Sequence, residues 1–360
     1  MSATVSVIGG GYGGITVAKA LDEVAEVILI EPRDTFVHNV AALRGLTDPD
    51  WTDKLFLPYD RLLSRGRWVR DRAARVDATS VTLGSGRTID SDYTVLATGS
   101  GYPFPAKTDT PDAATAKAKF HATRKMLADV DDILLLGAGP VGLELAGELK
   151  AVWPEKSVTI VDPGADILSG RYPDEFRDEL RRQLEAAGVR LLLGTSLTRL
   201  PPVDAGEAGR FTATTDSGDR IEADLWFRCY GGNPATEFLA GELSGARRDD
   251  GSLDVTEQLR LHGQDRVFAI GDITAIPEPK MAKAAGDHAT VVAENIVALI
   301  TGEGELKTYQ PGKAGIVLPL GPTGGASYVD GMGLLDAEQT ADIKGANLLI
   351  DRFAEKLGLA

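Results

Sequence analysis

Hydrophobic positions fall in short continuous runs, each followed by a glycine turn or a helical pattern. Residues 4–8 (TVSVI) read as a buried strand. The turn Gly9–Gly14 follows, then a helix over 12–23 (YGGITVAKALDE) and a second strand, "EVILIEP", ending at Glu31. This is a β-turn-α-β unit, which implies a parallel strand pair and a right-handed crossover. Residues 53–66 look irregular to helical, and short strands follow near 67–90 with turns at Gly84 and Gly86. "DYTVLATGS" is another buried strand running into Gly99.

The pattern then repeats. Residues 101–113 (GYPFPAKTDTPDA) are rich in Pro, Gly and Thr and read as a linker. A helix over 113–129 leads into "DDILLLGAGPVGLELAGELKAV", a second strand–turn–helix, and then into "SVTIVD", a strand ending at Asp162. An amphipathic helix over 174–187 stops at Gly188, and strands follow at 189–193, 210–215 and 224–229 before the break "YGGNP". "DRVFAIGDI" (265–273) is a strand entering a turn. "PKMAKAAGDHATVVAENIVALI" reads as a long helix with Pro279 near its first turn. Strands near 314–319 and 326–330 and a C-terminal helix complete the chain. In that last segment Ile343, Leu349, Ile350, Phe353 and Leu357 suit one helix face. Residues 1–100 and 130–232 thus form an approximate internal duplication.

Composition narrows the chemistry. The formal net charge of −15 disfavours a nucleic-acid groove or an anionic membrane surface. No apolar run reaches the ~18 residues of a membrane span. The beginning of the chain lacks the basic and cleavage features of a signal peptide, and Ser2 stands where an acyl acceptor needs glycine. A cytoplasmic location is expected, with at most peripheral membrane contact. The single cysteine, Cys229, excludes an internal disulfide or a Cys-x-x-Cys pair and reads as a buried strand residue. The histidines are scattered, so no metal site is expected.

The turns carry the strongest signal. Gly9, Gly11 and Gly14 satisfy G-x-G-x-x-G, and so do Gly137, Gly139 and Gly142. The first glycine permits the tight turn, the second lets a pyrophosphate approach the backbone, and the third lets helix and strand pack closely. The helix N-terminus then offers N–H groups and partial positive charge to the phosphates. Each turn follows a strand, opens a helix, and precedes a strand ending in an acid suited to a ribose hydroxyl, Glu31 or Asp162. A carboxylate at Asp162 repels a 2′-phosphate, which favours NADH. Arg171 downstream keeps NADPH open.

In chain order, "VIGGGYGG", "VLATGS", "LLLGAGPVGLELAGEL" and "VFAIGDI" resemble the two-dinucleotide-binding-domain flavoproteins, the pyridine nucleotide–disulfide reductase-like superfamily. "DTFVHNVAALRG", "GYPFPAK", "WPEKSVTIVD" and "PKMAKAAGDHATVVAENI" resemble more narrowly its apoptosis-inducing-factor-like group, which includes the ferroptosis suppressor protein. The resemblance implies an α/β fold with two Rossmann-like domains, binding FAD and NAD(P)H, plus a small C-terminal α/β domain. The FAD domain is expected at 1–107 and 236–307, the NAD(P)H domain at 108–235, and an interface and acceptor-site domain at 308–360. The implied activity is an FAD-dependent NAD(P)H:quinone oxidoreductase with non-covalent FAD.

Site residues follow from the same resemblance. FAD is expected on the first turn, with Tyr12, Gly13, Pro32, Arg33 and Ala73 added to it, and NADH on the second, with Pro140, Val141 and Gly231. Ala97, Thr98 and Gly99 mark the crossing between domains. Gly271 and Asp272 meet the ribityl-pyrophosphate part of FAD, Arg44 contacts FAD, and Glu144 meets the nicotinamide end. Lys107 and Lys344 lie near the flavin, where a cation stabilises developing negative charge. The N-terminus of the helix around Lys280, Met281 and Ala282 aims N–H groups at the flavin, and His288 is a candidate proton donor to the acceptor.

No redox cysteine pair follows the first βαβ unit, so electrons must leave the flavin directly. The expected acceptor is a small quinone or other aromatic molecule. A reductase for a ferredoxin- or rubredoxin-type carrier and a slowly turning redox-sensing protein that binds FAD and NADH remain alternatives. The C-terminal helix is expected to pack on the protein's own core or on the partner in a homodimer.

Overall fold

The computed structural model describes residues 3–170, 172–313 and 315–359. Met1, Ser2, Arg171, Ala314 and Ala360 lie outside the described residues, and with them the acylation expectation at Ser2, the phosphate contact of Arg171 and the first residue of the strand expected over 314–319. In chain order the helices are α1 (Tyr12–Leu21), α2 (Ala42–Thr47), α3 (Pro49–Lys54), α4 (Ala113–Asp129), α5 (Pro140–Val152), α6 (Asp174–Ala186), α7 (Ala282–Thr301), α8 (Ala337–Thr340) and α9 (Ile350–Lys356).

Two parallel sheets carry the duplication. The first has the order Val267–Ala269, Tyr93–Leu96, Thr4–Ile8, Glu26–Ile30, Arg67–Val69. The second has the order Val189–Leu193, Ser157–Asp162, Asp132–Leu136, Leu225–Arg228. In each, the strand leading into the glycine turn lies centrally, with Val7 opposite Leu29 and Leu135 opposite Ile160. These strands are buried almost end to end, as parallel strands covered on both faces must be, and this explains their unbroken apolar runs. The strand at 267–269 returns to the first sheet after the second has been completed. That return joins the "GD" turn to the "ATG" strand, because Val267, Phe268 and Ala269 pair with Thr94, Val95 and Leu96.

One hydrophobic cluster joins α2, the second sheet's unit and the C-terminal region. It joins Ala42 and Leu46 of α2 to Leu143, Ala146 and Leu149 of α5, and both to Leu318, Ala326 and Leu348 near the C-terminus. Helix α2, contiguous in sequence with the first sheet, therefore also packs into the core of the second.

The C-terminal region differs from expectation in its helix. The segment 341–359 is interrupted: a π-helical turn over Ala341–Gly345 follows α8, Leu348 and Leu349 both adopt left-handed backbone conformation, and only then does α9 begin. The expected single amphipathic face does not exist. Ile343 is exposed, whereas Phe353 and Leu357 are buried against the first sheet's core. The antiparallel sheet Gly315–Leu320, Gly324–Val329, Gly333–Leu335 docks on α5 and α6, while α9 docks on α1. The region is a strap laid over both nucleotide units. Helix α7 also starts later than the sequence suggests. Its N-cap is Met281, so Pro279 lies outside the first turn.

Candidate dinucleotide sites and their junction

The first turn is built as its glycines require. Gly9 has φ 102°, and a Cβ there would collide with the carbonyl of Ala97. A Cβ on Gly14 would overlap the carbonyl oxygen of Gly9, so α1 can approach the strand only with glycine at that position. Around an added Cβ at Gly11, by contrast, nothing lies within 4 Å. Gly11 is also the N-cap of α1, and no side chain caps that helix. Space and uncapped N–H groups together fit a pyrophosphate. Glu31 closes the turn: Gly10 N–H donates to Oε2 at 2.7 Å and Arg33 N–H to Oε1 at 3.0 Å. The Tyr59 hydroxyl adds a 2.8 Å bond to Gly10 O. Tyr59 is buried, and no motif pointed to it.

The second turn repeats this residue for residue. Gly137 has φ 115°, and its added Cβ would lie 2.9 Å from the carbonyl of Cys229. Gly142 is barred from a side chain by Gly137 O, and nothing lies within 4 Å of an added Cβ at Gly139, the N-cap of α5. Asp162 accepts from Ala138 N–H and from Gly164 N–H, both at 2.7 Å, as Glu31 accepts from Gly10 and Arg33. Cys229 therefore occupies in the second unit the place of Ala97 in the first. Burial pushes its thiol up to about 12, which leaves it an inert packing residue.

The crossing between the units is hydrogen-bonded into place. Thr98 Oγ1 donates to Ala235 O at 2.6 Å, Ala235 N–H donates to Gly99 O, and Ser100–Gly101 pairs with Asn233–Pro234. Here the structure gathers Lys107 and Asp272 and adds Ser100. The Ser100 hydroxyl donates to Asp272 Oδ2 at 2.6 Å, and Lys107 Nζ donates to Ser100 O, Ser100 Oγ and Asp272 Oδ2 at 2.8, 2.9 and 3.3 Å. All three ammonium protons of Lys107 thus have partners, which makes it a holder of the "GD" carboxylate. Ser100 was missed in the sequence, although its place directly after "ATG" was a signal.

His288 is corrected. Its side chain is 1 % exposed. Nδ1 accepts from Gly271 N–H at 3.0 Å, and Nε2 donates to Glu278 Oε1 at 2.7 Å, a tautomer assigned from the bonding pattern. Glu278 Oε2 in turn accepts from the Tyr309 hydroxyl at 2.7 Å. Burial holds the imidazole below its ordinary value. With both nitrogens engaged, the ring has no free proton for an acceptor, and it braces the Gly271 turn instead. Lys280 bonds Thr274 O and Ile276 O, so its ammonium secures the loop before α7. The N–H groups of α7 after Met281 and Ala282 have no side-chain cap.

One ion pair joins the C-terminal strap to α5 directly, and a second, between α2 and α5, reaches the strap through Arg44. Lys344 Nζ lies 2.8 Å from Glu144 Oε1 and 3.3 Å from Val317 O. Arg44 engages Glu148 through Nε at 3.1 Å and Nη2 at 2.8 Å, and its Nη1 donates to Gly345 O at 2.6 Å and Ala346 O at 3.3 Å. The side chains of Arg44 and Glu148 are 4 % and 5 % exposed. Burial pushes the Glu148 carboxyl up, and Arg44 opposes it. Removing one partner of such a pair costs about 3–5 kcal/mol, because the other charge stays buried. In the structure Arg44 is thus an inter-unit tie, with its guanidinium committed to protein groups. Glu148 was missed, although it lies one helical turn beyond Glu144.

Other expected residues take plainer places. The Tyr12 phenol accepts from Val40 N–H and packs edge-on against Phe36 and Phe353. Ala73 packs on the cluster containing Ile28 and Ile30 of the strand that leads to Glu31. Pro32 is exposed beside Glu31, Val141 is partly buried against the main core, Pro140 is the first residue of α5, and Gly231 turns the chain with φ 95° after the last strand of the second sheet.

Comparison with known proteins agrees with this geometry. The family described as pyridine nucleotide-disulphide oxidoreductase matches residues 3–289. The apoptosis-inducing factor homolog B of Dictyostelium discoideum is 30% identical over 372 residues, covering 98% of this chain and 96% of that protein. Human ferroptosis suppressor protein 1 is 29% identical, over 91% of this chain and 88% of its own. The crystal structure of a ferredoxin reductase from Rhodopseudomonas palustris shares the fold with a TM-score of 0.68 at 22% identity, covering 87% of this chain and 79% of that one. Among the described residues no helix is long and apolar enough to cross a membrane. The chain belongs to the pyridine nucleotide-disulphide oxidoreductase family and is an FAD-dependent NAD(P)H oxidoreductase.

Proposed function

We propose that the protein oxidises NADH and passes two electrons to a quinone or quinone-like acceptor, with FAD on the first turn and NADH on the second. The observation that carries this reading is the single cysteine. It is buried behind the second turn with its thiol pushed up to about 12, so no thiol relay stands between cofactor and acceptor. When bound, FAD supplies the ring that takes hydride and gives electrons onward.

The chain's own residues bind and orient. Gly11 and Gly139 leave room for the two pyrophosphates, and the uncapped N-termini of α1 and α5 face them. Asp162, held by Ala138 and Gly164, keeps a fixed carboxylate for a ribose hydroxyl and against a 2′-phosphate. Lys107 and Ser100 hold Asp272 for the ribityl-pyrophosphate region. Glu144 would meet the nicotinamide end, and the Lys344 ammonium beside it would lie near the flavin, where a cation would stabilise the negative charge that the flavin gains with the hydride.

Stopped-flow reduction of the holoenzyme by NADH, followed by reoxidation with menadione, oxygen and a ferredoxin in parallel, tests the reading. Fast reoxidation by menadione is expected. Turnover only with the carrier protein, or with none of the three, overturns it.

A further inference from the structure

One stripe of α5 faces the C-terminal strap: Glu144, Gly147 and Glu148, spaced i, i+3, i+4. At Gly147 the helix touches the strap backbone to backbone, and an added Cβ would collide with Leu320 Cα. Glu144 and Glu148 flank that contact and serve adjacent residues of one turn. Glu144 takes Lys344, and Glu148 takes Arg44, which takes the carbonyls of Gly345 and Ala346.

The turn needs this support. It is π-helical, closed by Ala346 N–H to Ala341 O, and the chain leaves helical geometry soon afterwards at Leu348. The carbonyls of Gly345 and Ala346 are therefore end-of-helix acceptors, and a buried guanidinium is the cation that satisfies them. A Cβ at Gly345 would lie 3.0 Å from Pro322 O, so the turn also sits hard against the hairpin before it.

We propose that Arg44 and Glu148 are positioning residues for hydride transfer, fixing the turn Lys344–Ala346 so that the Lys344 ammonium stays against Glu144. This rests on the reading that Glu144 meets the nicotinamide end and Lys344 lies near the flavin. Arg44 reaches the strap from α2, Glu148 of α5 holds its guanidinium, and the fork geometry of arginine lets one side chain serve the carboxylate and the carbonyls. A lysine at position 44 cannot engage Glu148 and both carbonyls together. The flexible turn that results lets the Lys344 ammonium drift, and a misplacement near 1 Å costs on the order of a hundredfold in rate.

The test uses the holoenzyme with Arg44→Lys, Glu148→Gln, Lys344→Met and the double variant Glu148→Gln/Lys344→Met. In stopped flow, Arg44→Lys and Glu148→Gln are expected to slow flavin reduction about tenfold or more, with NADH affinity within about threefold of wild type. The double variant should be no slower than Lys344→Met alone, since both act through one ammonium. Hydrogen–deuterium exchange over residues 341–349 should accelerate about tenfold in both single variants, with the strand 4–8 unchanged. Additive losses in the double variant, or unchanged exchange over 341–349, overturn the proposal and leave the assignment of Lys344 standing. Wild-type reduction in Lys344→Met overturns both the proposal and the reading beneath it. Slow reduction in Lys344→Met beside wild-type rates in Arg44→Lys and Glu148→Gln overturns the proposal alone.

Discussion

At the scale of single residues, the six fingerprint glycines divide by what surrounds a missing Cβ. Gly14 and Gly142 face carbonyl oxygens of their own turns, and Gly9 and Gly137 face the carbonyls of Ala97 and Cys229. Gly11 and Gly139 face open space. The first four are required by the fold and the last two by a ligand. Gly14→Ala should therefore destabilise the protein even without FAD, by roughly 1–3 kcal/mol in urea unfolding. Gly11→Ala should leave the apoprotein within about 0.5 kcal/mol of wild type. It should still raise the dissociation constant for FAD about tenfold or more, by filling the pyrophosphate space. An apoprotein destabilised equally by both changes would remove the distinction. The same reasoning gives Asp162 its test. Its two oxygens hold the second turn through Ala138 and Gly164, so Asp162→Asn should keep part of that structure while removing the charge. The ratio of kcat/KM for NADH over NADPH should fall about tenfold, and an unchanged ratio would move selectivity to another residue. These roles were legible because glycine spacing and a terminal acid are local signals. Ser100 and Glu148 were not, because their partners are 172 and 104 positions away.

Among elements, the sequence reading is closest where a run is bounded by clear turn or cap residues, such as Gly9, Asp112, Gly188 and Gly194. The strands at 4–8 and 189–193 and the helix at 113–129 have the bounds that their runs suggest. It fails at the C-terminus, where a good local pattern is overruled by docking. Leu348 and Leu349 adopt the left-handed region that leucine avoids, and this happens because His38 Nε2 donates to Leu348 O at 2.7 Å while Phe353 packs among Tyr12, Phe36 and His38. Periodicity counts only neighbours along the chain, so it reports a continuous helix where the fold needs a crossing between two units. Phe353 is the anchor of that crossing. Truncation to alanine should cost about 3–5 kcal/mol in equilibrium unfolding, as for other buried phenylalanines. A loss below about 1 kcal/mol would mean that α9 is not held by this cluster.

For the whole molecule, the strap makes stability depend on pH through one histidine. His38 is buried between the first βαβ unit and the C-terminal region. Its Nδ1 lies 3.3 Å from the Tyr12 hydroxyl, and its Nε2–H is given to Leu348 O across 310 positions of sequence. Desolvation holds it at about 4, down from 6.5; the bond to Leu348 O pulls the other way, and the Lys344 charge adds to the depression. Because the folded value lies below the unfolded one, the unfolded chain takes up its proton first as pH falls. The folded state thus loses stability between pH 6.5 and about pH 4, and the full contribution is present above pH 6.5. A gap from 6.5 to about 4 corresponds to about 3 kcal/mol. His38→Gln removes the titration and keeps a side-chain amide donor for Leu348 O. Its unfolding free energy should lie below that of wild type at pH 7.5, and the difference should shrink by about 2 kcal/mol when both are measured at pH 5. Only the difference between the two proteins is informative, since the many carboxylates titrate equally in both. A constant difference across that range would show that His38 does not carry the acid sensitivity of the strap. A shrinking one would show that protonation at one buried ring loosens the segment that also presents Lys344 to Glu144.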